Sequence, residues 1–345
     1  MVHSLSQWYE SHARPLPWRN THDPYRIWIS EVMLQQTQVT TVIPYYHRFL
    51  TAFPDLNSLA ISPIETVLSL WSGLGYYSRA RNLHRGAQFL LQHWNGQFPK
   101  TREQILTVPG IGPYTAGAIL SIAFDLPEAI VDGNVQRVFA RVYGERREIQ
   151  KHEVQKFFWE MATQWVALAE SPRILNQALM ELGATVCHKG KPKCEQCPLQ
   201  KNCVSFQNSW QEELPRKKAR TKPVSLFWIA LILESKGKYF LKKQPAGEWW
   251  EGLWGFPHLS VGEEAEFELQ FHRWRKQLPK QTKWRELPFQ THTVTHHKIK
   301  VAPYLIQIQN KNPMKEGGEW FSPEDLESLA LSSLARKTFA SVVLK

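Results

Sequence analysis

Cysteine is scarce in this chain: there are four in 345 residues, and none lies outside the window 187–203. That confinement excludes a disulfide framework, which spreads its pairs through a small secreted domain. No apolar run approaches the roughly eighteen residues of a membrane helix, the longest being the short stretch 226–233, so a membrane span is excluded. The opening residues, with Trp8, Tyr9, Glu10 and His12, are no secretion signal. A reducing compartment is expected. There is neither an internal repeat nor a low-complexity tract, which removes solenoid and tail-like architectures. Acidic residues are the minority, 31 against 42 Lys and Arg, and the formal charge of +11 favours a polyanionic partner without identifying one.

The cysteines that are present form one group. Cys187, Cys194, Cys197 and Cys203 are separated by six, two and five residues, an arrangement that reads as a metal centre. A zinc ribbon usually presents two C-x-x-C pairs, and here there is one. Four thiolates converging from a compact loop are the ordinary ligation of a four-iron, four-sulfur cluster. Zinc stays open as the alternative. Lys189, Lys191, Lys193 and Lys201 make the same loop cationic and suited to a phosphate backbone.

At 40.2 kDa and 43% hydrophobic residues, the chain can fill two cores. Residues 1–207 show helical periodicity, as in the stripe Val135, Val138, Phe139 and Val142, and predict a mainly α domain. Residues 208–223 turn polar and basic, with Pro215, Arg216, Lys217, Lys218, Arg220 and Lys222, and read as a linker. Residues 224–345 predict an α+β domain. A hairpin is expected about Ser235-Lys236-Gly237-Lys238, a strand over 301–309, and a helix opened by Ser322 and Pro323 that runs towards Arg336.

Three motifs could carry chemistry. The segment LTVPGIGPYTAGAIL, residues 106–120, is helix-hairpin-helix sequence. Gly110 and Gly112 allow a tight turn and close backbone approach, and the free amides of the following helix can face a phosphate. Asp132, in IVDGNV, stands where a helix cap is the default explanation; a capping carboxylate also stays ionised, as a group facing a developing cation must. Glu31 has Ile27, Trp28 and Leu34 as helical neighbours. Burial on that face would raise its pKa and let it act as a general acid, the alternative being a core-edge glutamate paired with an arginine. A proton-donating Glu with an ionised Asp is the pair that glycosidic cleavage requires.

Together, Glu31, GIGPYTAG, VDGNV and the cysteine window resemble the MutY family of adenine DNA glycosylases, in the endonuclease III superfamily, over nearly the whole chain. The resemblance implies a helix-hairpin-helix glycosylase domain with an iron-sulfur module, holding one 4Fe-4S cluster, followed by a Nudix-like α+β recognition domain. It implies that Glu31 protonates adenine flipped from the duplex, and that Asp132 stabilises the oxocarbenium-like sugar and guides water or forms a transient covalent bond. Tyr114 and Asn134 match supporting catalytic positions, and Arg19 and Gln177 match residues of the adenine pocket. Gln36, Thr37 and Tyr76 match contacts at the lesion; for Tyr76 a place in the core is the alternative, and Arg79, Arg81 and Arg85 nearby favour a DNA-facing segment. Endonuclease III-like enzymes carry a lysine where this chain has Tyr114, so a monofunctional glycosylase with little lyase activity is expected.

In the C-terminal part, EGLWGFPHL resembles a Nudix fold, but residues 260–280 lack its glutamate-rich helix, which removes the carboxylates that nucleotide hydrolysis needs for divalent metal. The family's His-x-Phe-Ser-His loop is here His292, Thr293, Val294, Thr295, His296, with the aromatic lost. Thr295 and His296 are the implied contacts to 8-oxoguanine. The expected partner is double-stranded DNA with adenine opposite 8-oxoguanine or guanine, bound by a monomer in the bacterial cytoplasm at the nucleoid. The competing functions are a related glycosylase of other base specificity and a noncatalytic iron-sulfur DNA-damage binder.

Overall fold

The computed structural model describes residues 1–218, 222–277, 282–308 and 317–343. Arg220 of the basic linker and Gln309 of the expected strand lie outside them. The chain divides into two compact units, Met1–Ser62 with Arg81–Ala219, and Pro63–Ala80 with Arg220–Lys345.

The first unit is helical. Its centre is the helix Gly133–Val142, and the stripe of Val135, Val138, Phe139 and Val142 is buried to 4% exposure or less. Phe139 meets Trp165 edge-on, with ring centroids 5.2 Å apart, and the same core takes Leu175, Leu179 and Leu182 from the helix Pro172–Thr185. Gly183 on that helix is a spacing residue: a Cβ there would come within 2.6 Å of Asn134 Cβ. A second core of Ile27, Ala118, Ile122 and Ile130 ties the helix Pro24–Leu34 to the segment after the glycine turn.

That turn follows the single-turn helix Arg102–Ile105 and precedes Pro113–Ala118. Gly110 has φ +83° and sits against Asn82, leaving no place for a side chain. Gly112 is extended, at φ −95°, and faces open space. The helix then widens into a π-helical stretch, Ile119–Ala123, of a kind frequent at functional sites. No residue pattern foretells it.

The second unit is built on one mixed sheet. Strand β1 (Val224–Ser235) turns through Lys236 and Gly237, both at positive φ, into β2 (Lys238–Lys243). The others are β3 (Trp254–Gly255), β4 (His258–Val261), β5 (Lys283–Glu286), β6 (Gln290–Val294), β7 (His297–Gln307) and β8 (Gly318–Phe321). The principal order is β3-β2-β1-β7-β5, with β1 and β7 parallel from Val224↔His297 to Glu234↔Gln307. Both faces of β1 are covered: Ile229, Leu231 and Leu233 pack with Phe267 and Phe271, whereas Ile232 packs with Leu241, Phe256 and Leu331.

The helix expected from Ser322 to Arg336 is two helices, Pro323–Ser328 and Ser333–Val343. The reason is a competing backbone partner. Trp254 donates to the Ala330 carbonyl at 2.9 Å and accepts from Ser332 N at 3.0 Å, which holds the intervening residues extended beside β3.

Candidate active site

The first unit contains a cavity of about 560 Å³. Eight of the residues singled out from the sequence line it: Arg19, Glu31, Gln36, Thr37, Tyr114, Asp132, Asn134 and Gln177. Residues far apart in the chain are thus brought to one wall.

Glu31 projects from the helix Pro24–Leu34, which Asp23 caps by accepting from Tyr25 N at 2.9 Å. It is only 5% exposed and accepts a short hydrogen bond from Tyr114 Oη, which itself lies 3.6 Å from Met180 Sδ. Burial pushes the Glu31 carboxyl up to about 7, further than the Tyr114 bond can pull it down, and the neighbouring Asp132 charge adds to the rise.

Asp132 caps the helix Gly133–Val142, accepting from Asn134 N at 2.9 Å and Val135 N at 2.8 Å on one oxygen and from Asn134 Nδ2 at 2.8 Å on the other. Capping and pocket placement are both realised. One expectation needs correction: the cap does not hold the pKa low, because burial outweighs those bonds and Arg137, and the net shift is upward. Asp132 has three donors against one on Glu31, so a proton shared between them resides on Glu31.

Further residues of the wall were not singled out from the sequence. Glu181 is fully buried, receives Arg14 Nε and Nη2 at 2.8 Å each, and pairs closely with Arg19. Burial pushes its carboxyl up, but the two arginines overcome this and hold it down at about 2. Arg19 also lies over the Tyr9 ring at 5.3 Å, and Tyr9 Oη donates to Gln177 Oε1 at 3.2 Å. The sequence carried no local signal for Glu181, since its neighbours on the same helix face, Gln177, Ala178, Ala184 and Thr185, form no apolar stripe of the kind that surrounds Glu31. Gln36 is exposed in a left-handed conformation, φ +58°, beside Thr37.

Two family models match the chain: the HhH-GPD superfamily of base excision DNA repair proteins over residues 29–164, and the NUDIX domain over 228–341. The adenine DNA glycosylase of Buchnera aphidicola subsp. Baizongia pistaciae is 42% identical, across 74% of this chain and 73% of that one. The human adenine DNA glycosylase is 35% identical, across 97% and 72%. The chain belongs to the adenine DNA glycosylases. A thermostable thymine-DNA glycosylase of known structure is also similar, with 30% identity and a TM-score of 0.55 over 60% of this chain and 95% of that one. The expected fold classes, a helix-hairpin-helix glycosylase domain and a Nudix-like α+β domain, are both borne out, as is the expected activity, base-excision release of adenine from DNA. Among the described residues no helix is long and apolar enough to cross a membrane.

In this adenine glycosylase the cysteines line one cavity with Val142, Leu182 and Leu199. None is in a disulfide. Among the described residues no group of three His, Cys, Asp or Glu is arranged to hold a single metal ion. Arg141 Nη1 donates to Cys187 Sγ at 3.3 Å and to the His188 carbonyl at 2.7 Å, and Cys203 Sγ donates to the Arg141 carbonyl. Burial pushes Cys197 up to about 12 and raises Cys194 and Cys203, with neighbouring thiolates adding to each. Clustered thiolates this costly to ionise alone suit a strongly cationic centre in their midst. Lys189, Lys191, Lys193 and Lys201 are exposed on the same loop.

Tyr76, Thr295 and His296 belong to the second unit. Tyr76 is not a core aromatic: it is 48% exposed at φ +49°, and Tyr77 is the buried neighbour. Arg79, read as facing DNA, is instead 8% exposed, stacks on Trp71 and donates to the carbonyls of Leu74 and Gly75. Thr295 and His296 occupy the β6–β7 turn, both exposed, with Thr295 at φ +54° and its hydroxyl donating to the Val294 carbonyl.

Proposed function

We propose that this glycosylase hydrolyses the bond to adenine mispaired with 8-oxoguanine or guanine, with Glu31 as general acid and Asp132 as stabiliser of the cationic sugar. The observation that carries this reading is the shared pocket, in which Glu31 is pushed up to about 7 while both Asp132 oxygens accept hydrogen bonds. Protonation of a ring nitrogen by Glu31 makes the flipped base a neutral leaving group. As the bond breaks, positive charge develops on the sugar, and the Asp132 carboxylate offsets it before water adds. Tyr114 keeps the Glu31 oxygen in place, and Asn134 does the same for Asp132. Arg19 and Gln177, held by Glu181 and Tyr9, face the adenine.

With Tyr114 lacking a nucleophilic amine, the reaction ends at an abasic site without strand scission. Cys187, Cys194, Cys197 and Cys203 hold a 4Fe-4S cluster, which supplies a fixed anchor for the cationic loop rather than any step of hydrolysis. Gly110 and Gly112 approach the DNA backbone, Gln36, Thr37 and Tyr76 stand at the opened base pair, and Thr295 and His296 contact the base opposite adenine. The enzyme acts as a monomer at the bacterial nucleoid.

Single-turnover adenine release from duplexes with 8-oxoguanine or guanine opposite adenine tests the reading. Asp132→Asn is expected to slow release by about 10²–10³, and the wild-type protein to leave abasic strands intact until heated in alkali. Unchanged release by the variant, or efficient nicking of abasic DNA, would overturn it.

A further inference from the structure

The turn that carries Tyr76 is stiffened from within. Gly73, Gly75 and Tyr76 all have positive φ, at +103°, +73° and +49°. For a tyrosine that conformation is strained, and it persists only where the surroundings over-determine it. Trp71 Nε1 donates to the Gly75 carbonyl at 3.2 Å, and the Gly73 amide donates to Tyr77 Oη at 3.2 Å. Arg79 Nη2 donates to the carbonyls of Leu74 and Gly75 at 3.3 and 3.1 Å. Its guanidinium lies over both the Trp71 and the Tyr76 rings, 5.3 and 5.7 Å from their centroids. A turn tied together in this way moves as one piece, so the place of the Tyr76 ring follows from whatever anchors the turn.

Ser72, which closes the helix Ile64–Trp71 just before the turn, supplies an anchor within the second unit. Its hydroxyl donates to the Leu331 carbonyl at 3.3 Å and accepts from Arg336 Nη2 at 3.0 Å. The Leu331 carbonyl can accept because of the helix break beside β3. In a continuous helix it would take the Ala335 amide, which here donates to Ser332 Oγ at 3.1 Å instead. Two further contacts hold the helix itself. Lys243 on β2 pairs with Glu65 at 2.7 Å, and a Cβ on Gly252 would lie 3.3 Å from Leu68 Cδ1. The Lys243 pair is exposed and contributes little, which leaves the Ser72 hydroxyl as the polar anchor that adjoins the turn.

We infer that Ser72 and Arg336 are positioning residues for Tyr76, through which the segment after Ser328 holds that ring at the opened base pair. The inference rests on the reading of Tyr76 as a contact at that pair. Flipping a base costs stacking energy, and an aromatic side chain offsets the loss only if it stands where the gap forms and does not yield. Internal bonds alone do not supply this, because they fix the shape of the turn and not its place. Neither Ser72 nor Arg336 lines the Glu31 cavity, so both act on the opening of the duplex and leave the proton chemistry alone.

The test uses the full-length protein and a duplex with 2-aminopurine beside the adenine pair, whose fluorescence rises as the neighbouring stack opens. Ser72→Ala is expected to reduce that rise and to slow single-turnover release about fivefold, the effect of losing a neutral hydrogen bond. The pH above which release falls should not move. Arg336→Ala, at an exposed position, removes one of the two bonds and is expected to slow release about twofold. Ser72→Thr restores the hydroxyl and should match the wild type. Combined changes separate positioning from general destabilisation: Tyr76→Ala is expected to slow release, and adding Ser72→Ala to it to cost nothing more. Additive losses, a displaced pH profile, or wild-type release by Ser72→Ala would each overturn the inference. Wild-type release and fluorescence with Tyr76→Ala would instead remove the reading of Tyr76, and the inference with it.

Discussion

Arg137 joins Asn134 to Cys187: Nη2 donates to Asn134 Oδ1 at 2.8 Å, and Nε donates to the Cys187 carbonyl at 2.7 Å. The same Nη2 reaches the Gly183 carbonyl at 2.6 Å. Asn134 in turn donates to Asp132. A planar guanidinium spans these acceptors and an ammonium cannot. Arg137→Lys is therefore expected to slow single-turnover base release by about tenfold, the loss of one charged hydrogen bond of about 1.5 kcal/mol. The variant should also lose the visible absorbance of the proposed cluster faster under chelator. A lysine variant matching the parent in both measurements would show that Asp132 is held without this link.

The Glu31 carboxyl, raised to about 7 from an ordinary 4.5, sets a pH dependence of rate and stability together. As the proposed acid it must be protonated, so release is expected to fall about tenfold per unit above pH 7. Its folded pKa exceeds the unfolded one, so its contribution favours the folded state at low pH and diminishes as pH rises from 4.5 to 7. Glu31→Gln is neutral at every pH and still accepts from Tyr114. It should be inactive yet more stable at pH 8 by about 3 kcal/mol, with little difference at pH 4.5. Equal melting temperatures at pH 8 would sink this account.

The Tyr114 hydroxyl lowers the Glu31 pKa by donating to it, against the stronger effect of burial. Tyr114→Phe removes that donor without adding charge. The alkaline limb of the pH–rate profile is expected to move upward while release at pH 6 falls modestly. A downward displacement would mean that the hydroxyl favours the protonated acid instead.

The helical half of the protein was legible because its signals are local. The Val135–Val142 stripe, the Asp132 cap and Gly110 each follow from residue type and spacing, and the fold uses them as read. Glu181 illustrates why the rest was not: its partners Arg14 and Arg19 are more than 160 residues away, and no local pattern couples them. Arg79 was misread for a related reason, since an arginine near an exposed tyrosine looks solvated until the carbonyls of Leu74 and Gly75 are seen to capture it. The break after Ser328 depends on pairing with Trp254, which helix-start residues cannot reveal.

Glu181 is a buried charge held by two arginines, Arg14 and Arg19. Its carboxyl, held at about 2, contributes stability that is present above its ordinary 4.5 and is lost as pH falls towards 2. Arg14 supplies two of the side-chain bonds and is 37% exposed, so its loss is partly screened and Arg19 remains. Arg14→Gln is expected to cost about 2 kcal/mol at pH 7, below the 3–5 kcal/mol of a fully broken buried pair, and to raise the midpoint of acid unfolding. Glu181→Gln alone strands two arginines, while the double variant removes one of them. Its cost should therefore be clearly less than the sum of the two single changes. Strict additivity in urea unfolding would show that the carboxylate does not depend on Arg14.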